Sequence, residues 1–158
     1  PAYFALAEPY MLLIPGASEH REAKRWPEEN YAELATRIAD AGIMPVIIGG
    51  KAEGPLAHSI ARREPRVKNL VTRTDLFQIV TLAEKALFVV GNDTGPMHMA
   101  TLAGAPGIAL FALTESDPDH SAPRGPKAPV IINSAPTLKE LSVDDVWQSV
   151  RALGLLPA

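Results

Sequence analysis

The chain has 158 residues, of which 47% are hydrophobic and 21% are charged, and it contains no cysteine. This composition is typical of one globular domain and excludes disordered, fibrous and disulfide-framework proteins as well as thiolate metal sites. The net charge of −3 gives no overall positive field that would favour nucleic acid. No apolar run approaches the roughly 18 residues that span a membrane, and no secretory leader is visible. We therefore expect a cytoplasmic protein with no transmembrane segment.

Apolar runs and helical stripes alternate along the chain. The runs are short, rich in β-branched residues and closed by turn residues, so they predict strands. The predicted strands cover 10–14, 44–48, 67–70, 87–90, 107–113 and 130–132. Helices with a one-sided apolar stripe are predicted between them, beginning near Pro27, Pro55, Thr74, Pro96 and Ser142. In the third helix, Thr74 is expected to be the cap and Leu76 to face inward.

The strands are apolar on both faces, which predicts a parallel sheet covered by helices on each side. The fold class is therefore α/β, with a doubly wound, Rossmann-like sheet in a single domain over residues 1–158. The proline-rich stretch 115–129 interrupts the alternation and is typical of a functional loop. Ligands of such sheets bind beyond the carboxyl ends of the strands, so the turns that follow the strands are the places to search.

The turn after the first strand has the composition of a phosphate site. Its sequence over 15–27, PGASEHREAKRWP, brings a glycine, a hydroxyl and two cations directly before a helix. The N–H groups and partial positive charge of a helix start favour an anion, and an ammonium beside them adds a full charge. The alternative is that Lys24 and Arg25 are solvated while Trp26 packs against the helix start.

The turn after the second strand, GGKAEG over 49–54, lacks the spacing and final hydroxyl of a phosphate loop. A carboxylate just beyond a strand can instead accept hydrogen bonds from two ribose hydroxyls. Glu53 is the candidate for this role. Its alternative role is that of an exposed acid stabilised by the helix dipole.

The densest polar cluster follows the fourth strand, in the sequence VVGNDTGPMH over 89–98. Two glycines permit close approach of a ligand to the backbone, and His98 lies in the first turn of the next helix. The alternative is that Asn92 and Asp93 are turn formers and a helix cap, with His98 packed against a neighbour. The four histidines lack metal-ligand spacing and no G-x-S-x-G elbow occurs, so neither a metal site nor a nucleophilic serine is expected.

Three motifs together, at 15–27, 49–53 and 91–100, resemble the C-terminal half of the family nine glycosyltransferases, the ADP-heptose:lipopolysaccharide heptosyltransferases. Their order and spacing agree with that family over about residues 11–114. The resemblance implies a GT-B fold, in which two doubly wound domains face a cleft, and this chain would be the half that binds the donor. The acceptor-binding N-terminal half, with the general base, would lie outside these 158 residues.

The resemblance implies roles for residues in the first three turns. Ser18 and Lys24 would contact the donor diphosphate, Glu53 the ribose, and Thr74 would lie where the backbone meets the base. Lys24 would be the catalytic residue, because a fixed ammonium stabilises the charge that develops on the departing diphosphate.

In the turn after the fourth strand, the resemblance implies that Asp93, Thr94, Gly95 and His98 line the sugar and phosphate pocket. A lysine, hydroxyl groups and helix starts would hold the diphosphate without a metal, so no cofactor is expected and the nucleotide sugar would be a substrate. The partners would be that donor and, through the other half, a lipid-linked saccharide acceptor at the inner face of the inner membrane.

Three alternatives remain open. The first is another GT-B enzyme, either a transferase or an epimerase that uses a UDP- or GDP-sugar. The second is a stand-alone nucleotide-binding module, and the third is an interaction module in which the polar turn residues serve only as helix caps.

Overall fold

The computed structural model describes residues 9–16, 25–92, 94–114 and 130–157. Strands and helices alternate along these ranges, as the sequence predicts. The strands are β1 (Tyr10–Ile14), β2 (Met44–Ile47), β3 (Lys68–Asn69), β4 (Val89–Asn92), β5 (Gly107–Ala112) and β6 (Val130–Ala135). The helices are α1 (Glu28–Asp40), α2 (Gly54–Arg63), α3 (Leu76–Lys85), α4 (Gly95–Leu102) and α5 (Val143–Ala152). None of these helices, in the part of the chain that is described, is long and apolar enough to cross a membrane.

The six strands form one sheet in the order β3-β2-β1-β4-β5-β6, and all neighbouring strands are parallel. The predicted doubly wound parallel α/β class is therefore confirmed. The strand order reverses between β1 and β4, which makes the crevice outside their carboxyl ends the topological switch point of the sheet.

The sheet separates two apolar layers, as β1 illustrates. Met11 and Leu13 pack into the layer formed with α1, α2 and α5. Tyr10, Leu12 and Ile14 pack into the opposite layer, against α3 and α4. All five side chains are buried, which is why the strand is apolar at every position instead of alternating.

Helix boundaries follow the predicted signals in α1 and α5. Pro27 precedes the first turn of α1, and Gly42 follows its end with φ +88°, a conformation that favours glycine. Ser142 caps α5, because its side chain accepts a hydrogen bond of 3.1 Å from the Asp145 N–H.

The start of α3 differs from the prediction, in which Thr74 caps the helix and Leu76 faces inward. The cap is Asp75, whose carboxylate accepts from the Gln78 N–H at 2.8 Å while the Gln78 side chain accepts from the Asp75 N–H at 2.8 Å. This reciprocal pair satisfies two N–H groups, whereas a threonine cap satisfies one. The helix consequently begins one residue later, and Leu76 is 61% exposed.

Strand β4 also differs from the prediction, because it extends two residues further, to Asn92. Gly91 permits this extension. A side chain at position 91 would lie 2.7 Å from the Ile14 carbonyl oxygen and 3.2 Å from the Met97 sulfur, so only glycine lets β1, β4 and α4 approach so closely. Asn92 is therefore the buried end of a strand, and the alternative interpretation of Asn92 as a turn former is wrong.

Candidate functional site

In sequence, the predicted site residues follow four of the strands, β1, β2, β3 and β4. The structure describes five of them, namely Glu53, Thr74, Thr94, Gly95 and His98. Ser18, Lys24 and Asp93 lie outside the described residues. Glu53 follows β2, Thr74 follows β3, and the other three lie in or directly before the first turn of α4. All five described residues are therefore at the edge where a doubly wound sheet binds its ligands.

Glu53 ends a short 3-10 turn after β2 and reaches across to the end of β1. A side chain at Gly16 would collide with its carboxylate oxygen Oε1 and would lie 3.3 Å from its Cδ. A side chain at Gly49 would lie 3.2 Å from its Cβ. The carboxylate of Glu53 thus lies over two glycine-lined turns, where the alternative role expects a side chain projecting from a helix start into solvent.

The turn after β3 contains a strained residue. Thr72 has φ +64°, a conformation that is uncommon for any residue except glycine and costly for a β-branched one. Its N–H donates to the Gly49 carbonyl at 2.9 Å, which ties this turn to the turn after β2. Strain of this kind concentrates at ligand-binding turns.

Thr74 lies two residues further along this turn. Its hydroxyl oxygen is buried and has no hydrogen-bond partner. A buried hydroxyl without a partner costs about 1–3 kcal/mol, so its retention calls for an explanation.

The turn after β4 leads directly into α4. Thr94 is the N-cap residue, yet its side chain makes no capping hydrogen bond, and its hydroxyl oxygen is buried without a partner. Gly95, the first helical residue, has open space where a side chain would lie. His98 is half-buried one turn along, and its N–H donates to the Thr94 carbonyl at 3.1 Å. A glycine at an uncrowded helix start lets a bulky anion approach the backbone.

Asn92 connects this turn to the end of β1. Its amide nitrogen donates to the Pro15 carbonyl at 3.0 Å and to the Gly16 carbonyl at 3.1 Å. Its amide oxygen accepts from the Tyr31 hydroxyl at 2.9 Å. Sequence reasoning missed this arrangement, although an asparagine that directly follows the apolar run of a central strand was a signal for it.

Trp26 fixes the start of α1 to another part of the chain. Its ring meets the ring of Tyr31 edge to face, with centroids 4.8 Å apart and planes at 83°. Its indole N–H donates to the Leu141 carbonyl at 2.9 Å. The expectation that Trp26 packs against the helix start is therefore confirmed, and burial raises the pKa of the Tyr31 hydroxyl far above its usual value.

A cleft of about 980 Å³ opens between the starts of α1 and α2. Glu53 is the predicted site residue in its described lining, whereas Thr74, Thr94, Gly95 and His98 do not contribute. The described lining residues are Pro15, Arg25, Trp26, Pro27, Glu28, Glu29, Ala52, Glu53, Pro55, Leu56 and Lys139. Lys139, which comes from a short 3-10 turn before α5, is a cation that no sequence pattern identified.

Contacts join the ends of four neighbouring strands into one edge. The Thr72 N–H bonds to Gly49, Glu53 lies against Gly16 and Gly49, and Asn92 bonds to Gly16. This edge offers a carboxylate, hydroxyls and a helix start, which suit the hydroxyl and phosphate groups of a nucleotide. Within the described ranges, no three His, Cys, Asp or Glu side chains are grouped so that they could hold a metal ion.

Comparison with known proteins relates this chain to a family. The model of glycosyltransferase family 9 (heptosyltransferase) matches residues 2–150. The chain belongs to glycosyltransferase family 9. The lipopolysaccharide heptosyltransferase 2 of Escherichia coli K12 is 35% identical over 128 residues, which cover 78% of this chain and 36% of that protein.

Solved members of the family have the same fold. The E. coli ADP-heptose lps heptosyltransferase II is 31% identical with a TM-score of 0.82, and the match covers 96% of this chain and 49% of that one. The E. coli heptosyltransferase WaaC with ADP is 26% identical with a TM-score of 0.80, covering 91% and 44%. WaaC with ADP-2-deoxy-2-fluoro heptose gives a TM-score of 0.75 at the same identity and covers 90% and 42%. This chain thus spans about a third of the curated relative and just under half of the solved chains.

Proposed function

We propose that this family 9 chain is the donor-binding half of an inverting heptosyltransferase, which transfers heptose from ADP-heptose to a lipopolysaccharide inner-core acceptor. The observation that carries the proposal is the row of contacts joining the turns after β1, β2, β3 and β4. A nucleotide sugar presents base, ribose, diphosphate and sugar in a row, and this edge offers complementary groups in a row. The relatives named as heptosyltransferases, and the ADP compounds in the WaaC structures, support ADP-heptose as the donor.

The groups along the edge suggest how the donor lies. Glu53 would accept hydrogen bonds from the ribose hydroxyls. Thr74 would meet the base, and Thr94, Gly95 and the start of α4 would meet the phosphates. Turning the side chain of Thr74 or Thr94 about one bond would let its unpartnered hydroxyl bond to the ligand, which would offset the cost of leaving it buried.

The interaction-module alternative requires these polar residues to be helix caps. Asp75 and not Thr74 caps α3, and the Thr94 side chain makes no capping hydrogen bond. A capping role therefore does not explain either hydroxyl, and a ligand-binding role does.

The chemistry follows from an inverting displacement. An acceptor hydroxyl attacks the anomeric carbon of the heptose, the new O–C bond forms, and the bond from that carbon to the diphosphate oxygen breaks. The acceptor proton passes to a general base in the other half of the enzyme, and ADP leaves with the electron pair. Lys24 would stabilise the departing diphosphate, with Ser18, Asp93 and His98 completing the pocket, and no divalent metal would be required.

The proposed acceptor also determines where the reaction takes place. A lipid-linked acceptor requires the enzyme to work at the inner face of the inner membrane, from the cytoplasmic side. Attachment to that membrane would belong to the half that binds the acceptor.

Calorimetric titration of the chain with ADP, UDP and GDP tests the donor assignment. We expect ADP to bind best, Lys24→Ala and Asp93→Ala to weaken it, and EDTA to have no effect. Lys85→Ala is a matched control because it removes the same charge at the opposite side of the sheet. Lys85 ends α3, shortly before β4 begins. No binding by any of the three nucleotides, or equal losses in Lys24→Ala and Lys85→Ala, would contradict the proposal.

Turnover gives a second test in an enzyme that contains both halves. Removing one donor that stabilises the leaving group typically lowers kcat by about 10²–10³-fold, and we expect this of Lys24→Ala. An unchanged kcat in the folded variant would exclude Lys24 from the catalytic role.

A further inference from the structure

We propose that Tyr31 and Asn92 form a positioning pair, which holds the first and fourth turns of the carboxyl edge in register so that the donor diphosphate can bind. The inference rests on the proposed function and deepens it. Neither residue belongs to the predicted set that contacts the donor. Both act through the backbone of Pro15 and Gly16, in the turn that leads to Ser18.

The hydrogen bonds of Asn92 fix the orientation of its amide. The carbonyls of Pro15 and Gly16 can only accept, so the amide nitrogen must face them, and each of its two N–H groups has one partner. The amide oxygen is left to accept, and the Tyr31 hydroxyl supplies the proton. That hydroxyl is protonated at neutral pH, and burial raises the pKa of Tyr31 further above its ordinary value.

The pair reaches both ends of the segment that carries Ser18 and Lys24. At one end, Asn92 holds Gly16, two residues before Ser18. At the other end, the ring of Tyr31 packs against Trp26, two residues after Lys24. Residues 17–24 themselves lie outside the described ranges. Gly16 and Trp26, which flank them, are both connected to Tyr31, Gly16 through Asn92 and Trp26 by the contact between the rings.

The pair also adjoins the fourth turn. Asn92 directly precedes Asp93, and it spans the gap between β1 and β4 where the strand order reverses. Ligands of doubly wound sheets bind at this switch point. One buried amide thus links the two turns in whose sequences Ser18, Lys24 and Asp93 occur.

The two acceptors that Asn92 serves are backbone carbonyls, which no substitution removes. An apolar side chain at position 92 would leave both carbonyls and the Tyr31 hydroxyl without these partners, and the amide itself is tolerated in the core only because its partners are in place. Asn92 is completely buried, and its donors and acceptor all have partners. The geometry it imposes on the Pro15 and Gly16 carbonyls therefore points to positioning.

Tyr31→Phe tests the pair, because it removes the hydroxyl and retains the ring against Trp26. Tyr10→Phe is the matched control. Tyr10 is also completely buried, and its hydroxyl donates to the Leu82 carbonyl at 2.7 Å in the apolar layer on the other face. Each variant is titrated with ADP well below its Tm, and the NMR chemical shifts of the Gly16, Thr94 and Gly95 amides are compared with those of the unaltered chain.

We expect Tyr31→Phe to weaken ADP binding by about 5- to 30-fold, within the range typical of coupling between sites. It should also move the amide chemical shifts of Gly16, Thr94 and Gly95, while Tyr10→Phe changes neither quantity. Equal behaviour of the two variants would overturn the positioning role. If the unaltered chain binds no ADP, the proposed function fails, and the amide shifts of these three residues still decide whether the pair positions the turns.

Discussion

The carboxylate of Glu53 occupies the space that a side chain at Gly16 would fill. A methyl group there would meet the far end of a flexible side chain, which can rotate away at little cost to folding. We therefore expect Gly16→Ala to leave Tm nearly unchanged while it displaces the carboxylate from the end of β1. Calorimetry should show ADP binding weakened by about tenfold, which corresponds to ~1.4 kcal/mol.

Gly54→Ala is the control for this substitution. Gly54 directly follows Glu53, has a helical φ of −54° and has open space where the methyl group would lie. Alanine there should stabilise α2 by about 0.5–1 kcal/mol and leave ADP affinity unchanged. A loss of affinity as large as that of Gly16→Ala would mean that the contact between Glu53 and Gly16 does not set the site.

The sequence predicted the architecture because strand burial is a local property. Every residue of β1 is apolar and buried, so the run itself indicates a central parallel strand, and Pro15 and Gly16 mark its end. The same reasoning indicated the edge on which the site residues lie. The fold class and the position of the edge were therefore accessible from pattern alone.

The links between the turns could not be predicted in the same way. Asn92 and Pro15 are 77 positions apart, and their hydrogen bond exists because β1 and β4 are neighbours in the sheet. The local sequence pattern of either strand does not determine the strand order. The predicted cap of α3 was wrong for a different reason. Thr74 and Asp75 are both acceptable caps, and only the reciprocal bond with Gln78 decides between them.

Thr72 offers a test of strain in the turn after β3. Asparagine tolerates the left-handed conformation better than a β-branched residue does, so Thr72→Asn should stabilise the chain by about 1 kcal/mol. Thr72→Val retains the branched shape and should give no gain. Urea unfolding of both variants measures the difference, and equal stabilities would show that the turn stores no strain at this residue.

An ion pair between the buried carboxylate of Glu64 and the half-exposed guanidinium of Arg66 predicts how stability depends on pH. Glu64 accepts from Arg66 at 2.8 Å and 3.0 Å and from the Thr36 hydroxyl at 3.1 Å, and it is 5% exposed. These bonds, those from Arg66 foremost, lower the pKa of Glu64 to about 2. Because the folded pKa lies below the ordinary value, the stabilisation is complete above about pH 4.5 and is lost as the pH falls towards 2.

Glu64→Gln should therefore cost about 1–3 kcal/mol at pH 7 and progressively less below pH 4. Urea unfolding at pH 7, 4 and 3 measures this convergence with the unaltered chain. Glu84→Gln, on the exposed side of α3, is the control and should change stability little at any of these pH values. A constant difference between Glu64→Gln and the unaltered chain across this range would contradict the assigned ion pair.

Gly91 tests how closely β1 and β4 must approach for the switch point to exist. A methyl group at this position would lie 2.7 Å from the carbonyl oxygen of Ile14 and 2.8 Å from the Cβ of Ile14. The backbone of a central strand cannot move to relieve these contacts. Gly91→Ala should therefore destabilise the chain by about 1–3 kcal/mol, the cost typical of overpacking. Gly95→Ala, at a helix start with open space, should not lower the urea midpoint and should raise it slightly if it has any effect. If both variants unfold at the same midpoint, the strands can separate without cost, and the register that Asn92 maintains between the first and fourth turns would not depend on this contact.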